Sequence, residues 1–284
     1  MISDFSRSWK IDNRSHVGKF AELWKKWYFR LVFEVLLILI VLVGLGYLFM
    51  ERIMFPSPST GVRVGNLTLN SGNAVLDALW LKKENASLTV LYSHGNGEQL
   101  AWIRNWVEEF PRHNYNILAY DYAGYGGSTG KAGEKQACMD IESAYRFLTE
   151  KEKIPPEKIL VIGFSIGTGP SSYLASKYPV KGLVLAAPFA SAIQVVFPFS
   201  LPFDRFPSAE RLNQSLVPVL VFHGTADRII PCRNGKKVFD KAAGRKKLVI
   251  VSGADHNDLF AWLGERFWNE LNGFFPLSAS RNNN

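Results

Sequence analysis

Cysteine is nearly absent: Cys138 and Cys232 are the only two in 284 residues, too few for a disulfide scaffold or a thiolate metal centre. Two free, buried thiols are expected instead. Histidine is also scarce, at five residues, and no spacing of histidines and carboxylates suggests a metal site. A lysine-bearing phosphate loop is missing. The glycine-rich run Asp121-Tyr122-Ala123-Gly124-Tyr125-Gly126-Gly127-Ser128-Thr129-Gly130 follows a predicted strand, but it carries Thr129 where a dinucleotide fingerprint needs glycine. No cofactor is therefore expected. Nor is there a nucleic-acid docking motif to match the net charge of +8, which would have to be clustered in a stripe to serve a polyanion. Disorder is excluded as well, since 47% of the chain is apolar and 20% charged.

What the sequence does hold begins at the N-terminus. Arg7, Lys10, Arg14, Lys19, Lys25, Lys26 and Arg30 form a basic segment over residues 1–30. From Leu31 to Met50 the chain is apolar apart from Glu34, about the length a helix needs to cross a bilayer. The expectation is one transmembrane anchor over 31–50, and hence a lipid bilayer as partner. A buried core helix would usually be shorter. A cleaved signal peptide would need a small-residue site that Tyr47-Leu48-Phe49-Met50-Glu51-Arg52 lacks. Trp24, Trp27 and Tyr28 stand where an interfacial aromatic belt would lie, and the basic flank predicts a cytoplasmic N-terminus, with everything beyond Arg52 in the periplasm or a lumen.

Past a proline-bearing linker at 51–60, short β-rich runs alternate with helical stretches, which predicts a mostly parallel sheet covered on both faces. The expected domain covers 61–275, with a polar tail over 276–284. Eight strands are predicted: Val62–Leu69, Ala74–Leu81, Leu88–Tyr92, Asn116–Asp121, Ile159–Ile162, Gly182–Ala187, Val217–Phe222 and Leu248–Val251. The first two should pair as a hairpin. Helices are predicted at Leu100–Phe110, Lys135–Thr149, Ile166–Lys177, Arg233–Ala243 and Asp258–Leu271. Residues 189–216 hold no strand, and their apolar run Val195–Phe203 reads either as a small lid over a site or as a loop packed on the core.

The chemistry centres on Gly163-Phe164-Ser165-Ile166-Gly167, which lies between an apolar strand and a helix. G-x-S-x-G serves as a nucleophile elbow only on such a turn, where the glycines allow close backbone approach and the serine is pushed into the open. A second copy, Gly126-Gly127-Ser128-Thr129-Gly130, has no helix starting at its serine, so placement selects Ser165. A serine hydroxyl needs a base, and the base needs an orienting group. His256 follows the last predicted strand and Asp227 the one before it, giving the order Ser, Asp, His, each just past the C-terminal end of a strand. Asp255 and Asp258 are alternative acids, and an Arg228–Asp227 ion pair is the bland reading of that carboxylate. An oxyanion needs amide donors: Ile166 supplies one, and the loop Ser93-His94-Gly95-Asn96-Gly97-Glu98 should supply the other through Asn96. His94 reads as structural.

Taken as a set, Ser93-His94-Gly95-Asn96-Gly97, Asp121-Tyr122-Ala123-Gly124-Tyr125-Gly126 and Gly163-Phe164-Ser165-Ile166-Gly167 resemble the α/β-hydrolase superfamily. More narrowly, they resemble its membrane-associated group, which includes protein depalmitoylases and their bacterial relatives. The resemblance implies an α/β-hydrolase fold from about Phe55 onward. It also implies a carboxylic ester or thioester hydrolase acting on acyl chains through an acyl-enzyme. The depalmitoylases attach through an N-terminal cysteine cluster, and this N-terminus has no cysteine. A serine peptidase on the same fold and a non-catalytic membrane scaffold are the rival readings.

Overall fold

The computed structural model describes residues 13–56, 58–199 and 204–277. Arg7, Lys10, residues 200–203 of the apolar run and 278–284 of the tail lie outside them. The chain divides into two units, Met1–Met50 and Glu51–Asn284.

The first unit is carried by α1 (Asn13–Met54), 42 residues long. Within it Trp24–Gly46 is long and apolar enough to cross a membrane. The helix outruns the expected 31–50 at both ends because no proline interrupts it before Pro56, and Gly44 and Gly46 are tolerated in such helices. Glu34, the one acid in the apolar stretch, is paired one turn back with Arg30 at 3.1 Å.

Where a linker is expected at 51–60, Glu51–Met54 completes α1. Phe55 is buried and sits 6.1 Å from the Phe206 ring, and the amides of Thr60 and Gly61 both donate to the Gly126 carbonyl at 3.0 Å. The second unit therefore starts at Glu51, ahead of the expected 61.

Its sheet contains β1 (Leu67–Ser71), β2 (Ala74–Leu81), β3 (Leu88–Ser93), β4 (Tyr115–Tyr120), β5 (Ile159–Phe164), β6 (Gly182–Ala186), β7 (Val219–Gly224) and β8 (Lys246–Val251). The spatial order is β1-β2-β4-β3-β5-β6-β7-β8. β2 pairs antiparallel with β1 and β4, and all other pairs are parallel. Successive residues of the central strands enter opposite cores. Leu91, Val161, Leu185 and Val221 pack on one side, and Val90, Ile162, Val184 and Phe222 on the other. The strands β3, β5, β6 and β7 are buried along their whole length, as parallel strands covered on both faces must be.

The helices are α2 (Leu100–Arg112), α3 (Glu134–Arg146), α4 (Thr168–Lys177), α5 (Ser208–Asn213), α6 (Arg233–Lys241), α7 (Leu259–Leu263) and α8 (Glu265–Phe274). Two departures from expectation have local causes. The predicted helix 258–271 breaks at Gly264, whose φ of +47° suits glycine. Residues 62–66 do not enter the sheet because buried Asp77 takes their amides, accepting from Val64 at 2.8 Å and Gly65 at 3.2 Å.

The order matters for function. The chain passes from β3 to β4 on one side and returns to β5 on the other, so the loops leaving β3 and β5 diverge. A crevice at such a switch point is where open α/β sheets bind ligands.

Candidate active site

Ser165 leaves β5 with φ +51°, a left-handed conformation that costs a non-glycine residue about 1–2 kcal/mol. Its neighbours explain why the turn holds. A Cβ on Gly167 would lie 2.1 Å from the Ser93 carbonyl oxygen, and one on Gly163 would lie 2.5 Å from the Gly167 oxygen. Only glycine lets the elbow press against β3. The Thr168 hydroxyl donates to the Ser165 carbonyl at 2.7 Å, closing the turn into α4.

His256, in the loop after β8, places Nε2 2.8 Å from Ser165 Oγ and Nδ1 2.8 Å from Asp227 Oδ2. An ionised carboxylate only accepts, so Nδ1 carries the proton and Nε2 is left to accept from the serine hydroxyl. All three residues are buried, and the Phe164 ring lies 5.2 Å from the imidazole. Asp227 Oδ1 accepts the amides of Ile229 at 3.0 Å and Ile230 at 2.7 Å. Burial pushes this carboxyl up, but hydrogen bonds from His223, His256 and the Ile230 amide outweigh it and hold Asp227 well below the usual carboxylate range. A proton can thus leave Oγ for Nε2 while a fixed negative charge faces the resulting imidazolium.

Asp255 has a different place from the one its position beside His256 suggests. Its Oδ1 accepts the amides of Arg228 at 3.0 Å and His256 at 2.8 Å, and its Oδ2 pairs with the Arg228 guanidinium. Arg228 therefore bonds to Asp255, and Asp227 is left to the histidine. Asp258 accepts the Asp255 amide at 2.7 Å. Asp255 is a strap between the loops that carry Asp227 and His256.

His223 was not singled out by sequence reasoning. Fully buried on β7, it donates from Nε2 to the Ile230 carbonyl at 2.8 Å and lies 3.4 Å from Asp227 Oδ2. It fixes the turn that aims Asp227. No pattern in the sequence marks it, since its role depends on contacts with Ile230 and Asp227.

The loop after β3 is held by its own hydrogen bonds. The Gly95 amide donates to the Glu98 carboxylate at 2.6 Å, and the Gly95 carbonyl accepts from His94 Nδ1 and the Glu98 amide. Tyr125 donates its hydroxyl to Asn96 Oδ1 at 2.9 Å, and Tyr122 donates to the His94 carbonyl at 2.9 Å. Among the described residues the Asn96 amide meets no acceptor. Ile166, in the first turn after β5, has no helical acceptor for its amide either.

The second elbow-like string is structural. Ser128 Oγ donates to the Asp121 carbonyl and accepts the Asp77 amide, both at 2.8 Å, while Asp121 Oδ1 accepts the Leu100 amide at 2.7 Å. Both cysteines are free; Cys138 is buried, which pushes its thiol up to about 12, whereas Cys232 is only half-buried. Among the described residues no cluster of three or more His, Cys, Asp or Glu could hold a metal.

Comparison with known proteins decides the family. The chain is 36% identical over 194 residues to alpha/beta hydrolase domain-containing protein 17B of Homo sapiens, covering 67% of each chain. The chain belongs to the α/β-hydrolase superfamily. It is also 37% identical over 200 residues to alpha/beta hydrolase domain-containing protein aho-3 of Caenorhabditis elegans, covering 69% of this chain and 60% of that one. The family model described as serine aminopeptidase, S33, matches residues 84–207, a stretch that holds Ser165 and stops before Asp227 and His256. Two solved structures share the fold. The esterase Pf2001 of Pyrococcus furiosus gives a TM-score of 0.61 at 19% identity, covering 73% of this chain and 90% of that one. Est1E of Butyrivibrio proteoclasticus, bound to ferulic acid, gives 0.61 at 14%, covering 73% and 98%. This α/β-hydrolase has the expected eight-stranded, mostly parallel sheet, and an N-terminal apolar helix precedes it in the chain.

Proposed function

We propose that this α/β-hydrolase cleaves carboxylic ester or thioester bonds of acyl, lipid-like substrates, with Ser165 as nucleophile, His256 as general base and Asp227 as its orienting acid. The observation that carries the proposal is the continuous relay of two 2.8 Å hydrogen bonds from Ser165 Oγ through His256 to Asp227. His256 takes the Ser165 proton as Oγ attacks the acyl carbon, and Asp227 stabilises the imidazolium. The amides of Asn96 and Ile166 hold the oxyanion. The alcohol or thiol leaves with the proton from His256, and water, activated in the same way, releases the acid from the acyl-enzyme. The reading of the substrate as lipid-like is supported by the apolar helix, taken as an anchor. The basic flank Lys25, Lys26 and Arg30 supports a cytoplasmic N-terminus, with the hydrolase unit in the periplasm or a lumen.

A peptidase is the second reading, favoured by the description of the family model that matches 84–207. Detergent-solubilised full-length protein offered ester and thioester panels of increasing chain length, alongside aminoacyl anilides, separates the two. The ester and thioester panels should be turned over and the anilides left intact; the reverse would replace esterase with peptidase. Protease accessibility tests the orientation: in sealed vesicles with the cytoplasmic face outward the C-terminal unit should be protected from added protease, and its cleavage there would reverse the assignment.

A further inference from the structure

The segment after β6 rises from the C-terminal edge of the sheet, between the loops that carry Ser165 and Asp227. Its base is closed. The Ala192 amide donates to the Arg205 carbonyl at 2.9 Å. Asp204 takes the Ser191 hydroxyl and, at 2.8 Å each, the amides of Ile193 and Arg205. Phe206 is anchored below by Phe55 and Phe189. Beyond this clamp Val196, Phe197 and Phe199 are 70%, 50% and 53% exposed, and the two rings stack on each other at 5.5 Å. Two apolar rings held in water by a rigid base are costly unless something covers them.

The surroundings indicate what covers them. The exposed guanidinium of Arg233 donates to the Val195 carbonyl at 3.0 Å, directly behind the apolar residues. On the neighbouring loop, Ile229 is 53% exposed. Apolar side chains backed by an exposed guanidinium match a bilayer boundary, where rings enter the acyl region and the cation stays with the headgroups. The chain also carries, at Trp24–Gly46, a helix long and apolar enough to cross a membrane.

We infer that Val196, Phe197 and Phe199 form a lipid-inserting tip, a second membrane contact that sets the crevice holding Ser165 against the bilayer surface. The inference rests on the membrane-anchor reading for the tether, and it deepens the lipid-like substrate assignment by giving that substrate a route from the bilayer. It replaces the lid-over-site reading of this run.

The test uses the full chain in vesicles of phosphatidylcholine with about a quarter phosphatidylglycerol. Nitroxide labels are placed at Phe197→Cys, Phe199→Cys and, as a control, Leu216→Cys, in a Cys138→Ser/Cys232→Ser background. Leu216 is 81% exposed but precedes β7, at the opposite edge of the sheet. Relative to a water-soluble nickel chelate, oxygen should relax the labels at 197 and 199 about fivefold or more in excess of the label at 216. Equal ratios at all three positions would overturn the inference and point to a protein partner or a tip folded onto the site. Hydroxyl-radical footprinting of the unsubstituted chain asks the same question without a mutation. Phe197 and Phe199 should be protected and Leu216 oxidised, and oxidation of all three would overturn it. Alkaline extraction reads the anchor separately, and none of these measurements depends on turnover, so an inactive Ser165 would leave their outcome standing.

Discussion

Asp227 and Asp255 both stand close to His256, and replacing each by asparagine separates a charge that acts on the ring from a strap that acts on the backbone. Asp227 faces Nδ1 through a 2.8 Å hydrogen bond and is buried. Once His256 has taken the Ser165 proton, opposite charges about 4 Å apart at an effective dielectric of about 20 attract by about 4 kcal/mol. At about 1.4 kcal/mol per factor of ten, Asp227→Asn should lower kcat about a thousandfold. Asparagine also admits the wrong imidazole tautomer, which adds to the loss. Asp255 touches His256 only through the amide, so Asp255→Asn should cost about tenfold or less, through looser placement of the two loops. The assay is steady-state hydrolysis of a water-soluble short-chain ester by full-length protein in detergent, with circular dichroism melting to check that each variant is folded. The reasoning fails if Asp255→Asn loses as much activity as Asp227→Asn, or if Asp227→Asn keeps more than a tenth of the wild-type rate.

Other outcomes follow from the same geometry. Ser165→Gly should be more stable than Ser165→Ala by about 1 kcal/mol, because glycine relieves the positive φ of the elbow; chemical denaturation of the two inactive proteins measures it. Gly167→Ala should destabilise by about 2–4 kcal/mol and abolish turnover, since its Cβ would meet the Ser93 carbonyl at 2.1 Å; thermal melting and ester hydrolysis read both effects. Burial pushes the Asp140 carboxyl up to about 6, against hydrogen bonds from Ser71, the Ala123 amide and Gln136. The unfolded chain releases that proton near pH 4, so between about pH 4 and 6 the folded state binds more protons and stability falls as pH rises. Asp140→Asn should flatten that part of the melting profile, and an unchanged slope would contradict the assignment. Asp227 works in the opposite sense: its folded value is depressed, so its contribution is complete above about pH 4 and is lost as pH falls below that. Asp227→Asn should therefore lose stability near neutrality and show a shallower acid limb.

The features that could be read from the sequence are those fixed by neighbours along the chain. Ile159–Ile162 is apolar on both faces and ends in Gly163, so the strand, the elbow and the choice of Ser165 over Ser128 all lie within a dozen residues. Asp227 and His256 were legible because parallel strands present their C-terminal ends to one edge. Features that depend on long-range partners were not legible. The shortened β1 depends on Asp77 taking the amides of Val64 and Gly65. The strap made by Asp255 depends on Arg228 arriving from β7, and the buried start of the domain at Phe55 depends on Phe206, about 150 residues away. His223 was overlooked because a histidine inside an apolar strand has no signature of its own until its Nε2 is seen against Ile230 and Asp227.

The claim beneath all of this is that Ser165 is the nucleophile. A fluorophosphonate probe, which reacts covalently with activated serines, tests it on the solubilised full-length protein. The account predicts one labelled site in the wild type, mapped by mass spectrometry to Ser165, with labelling lost in Ser165→Ala and retained in Ser128→Ala where that protein folds. Labelling of Ser165→Ala equal to wild type would contradict it.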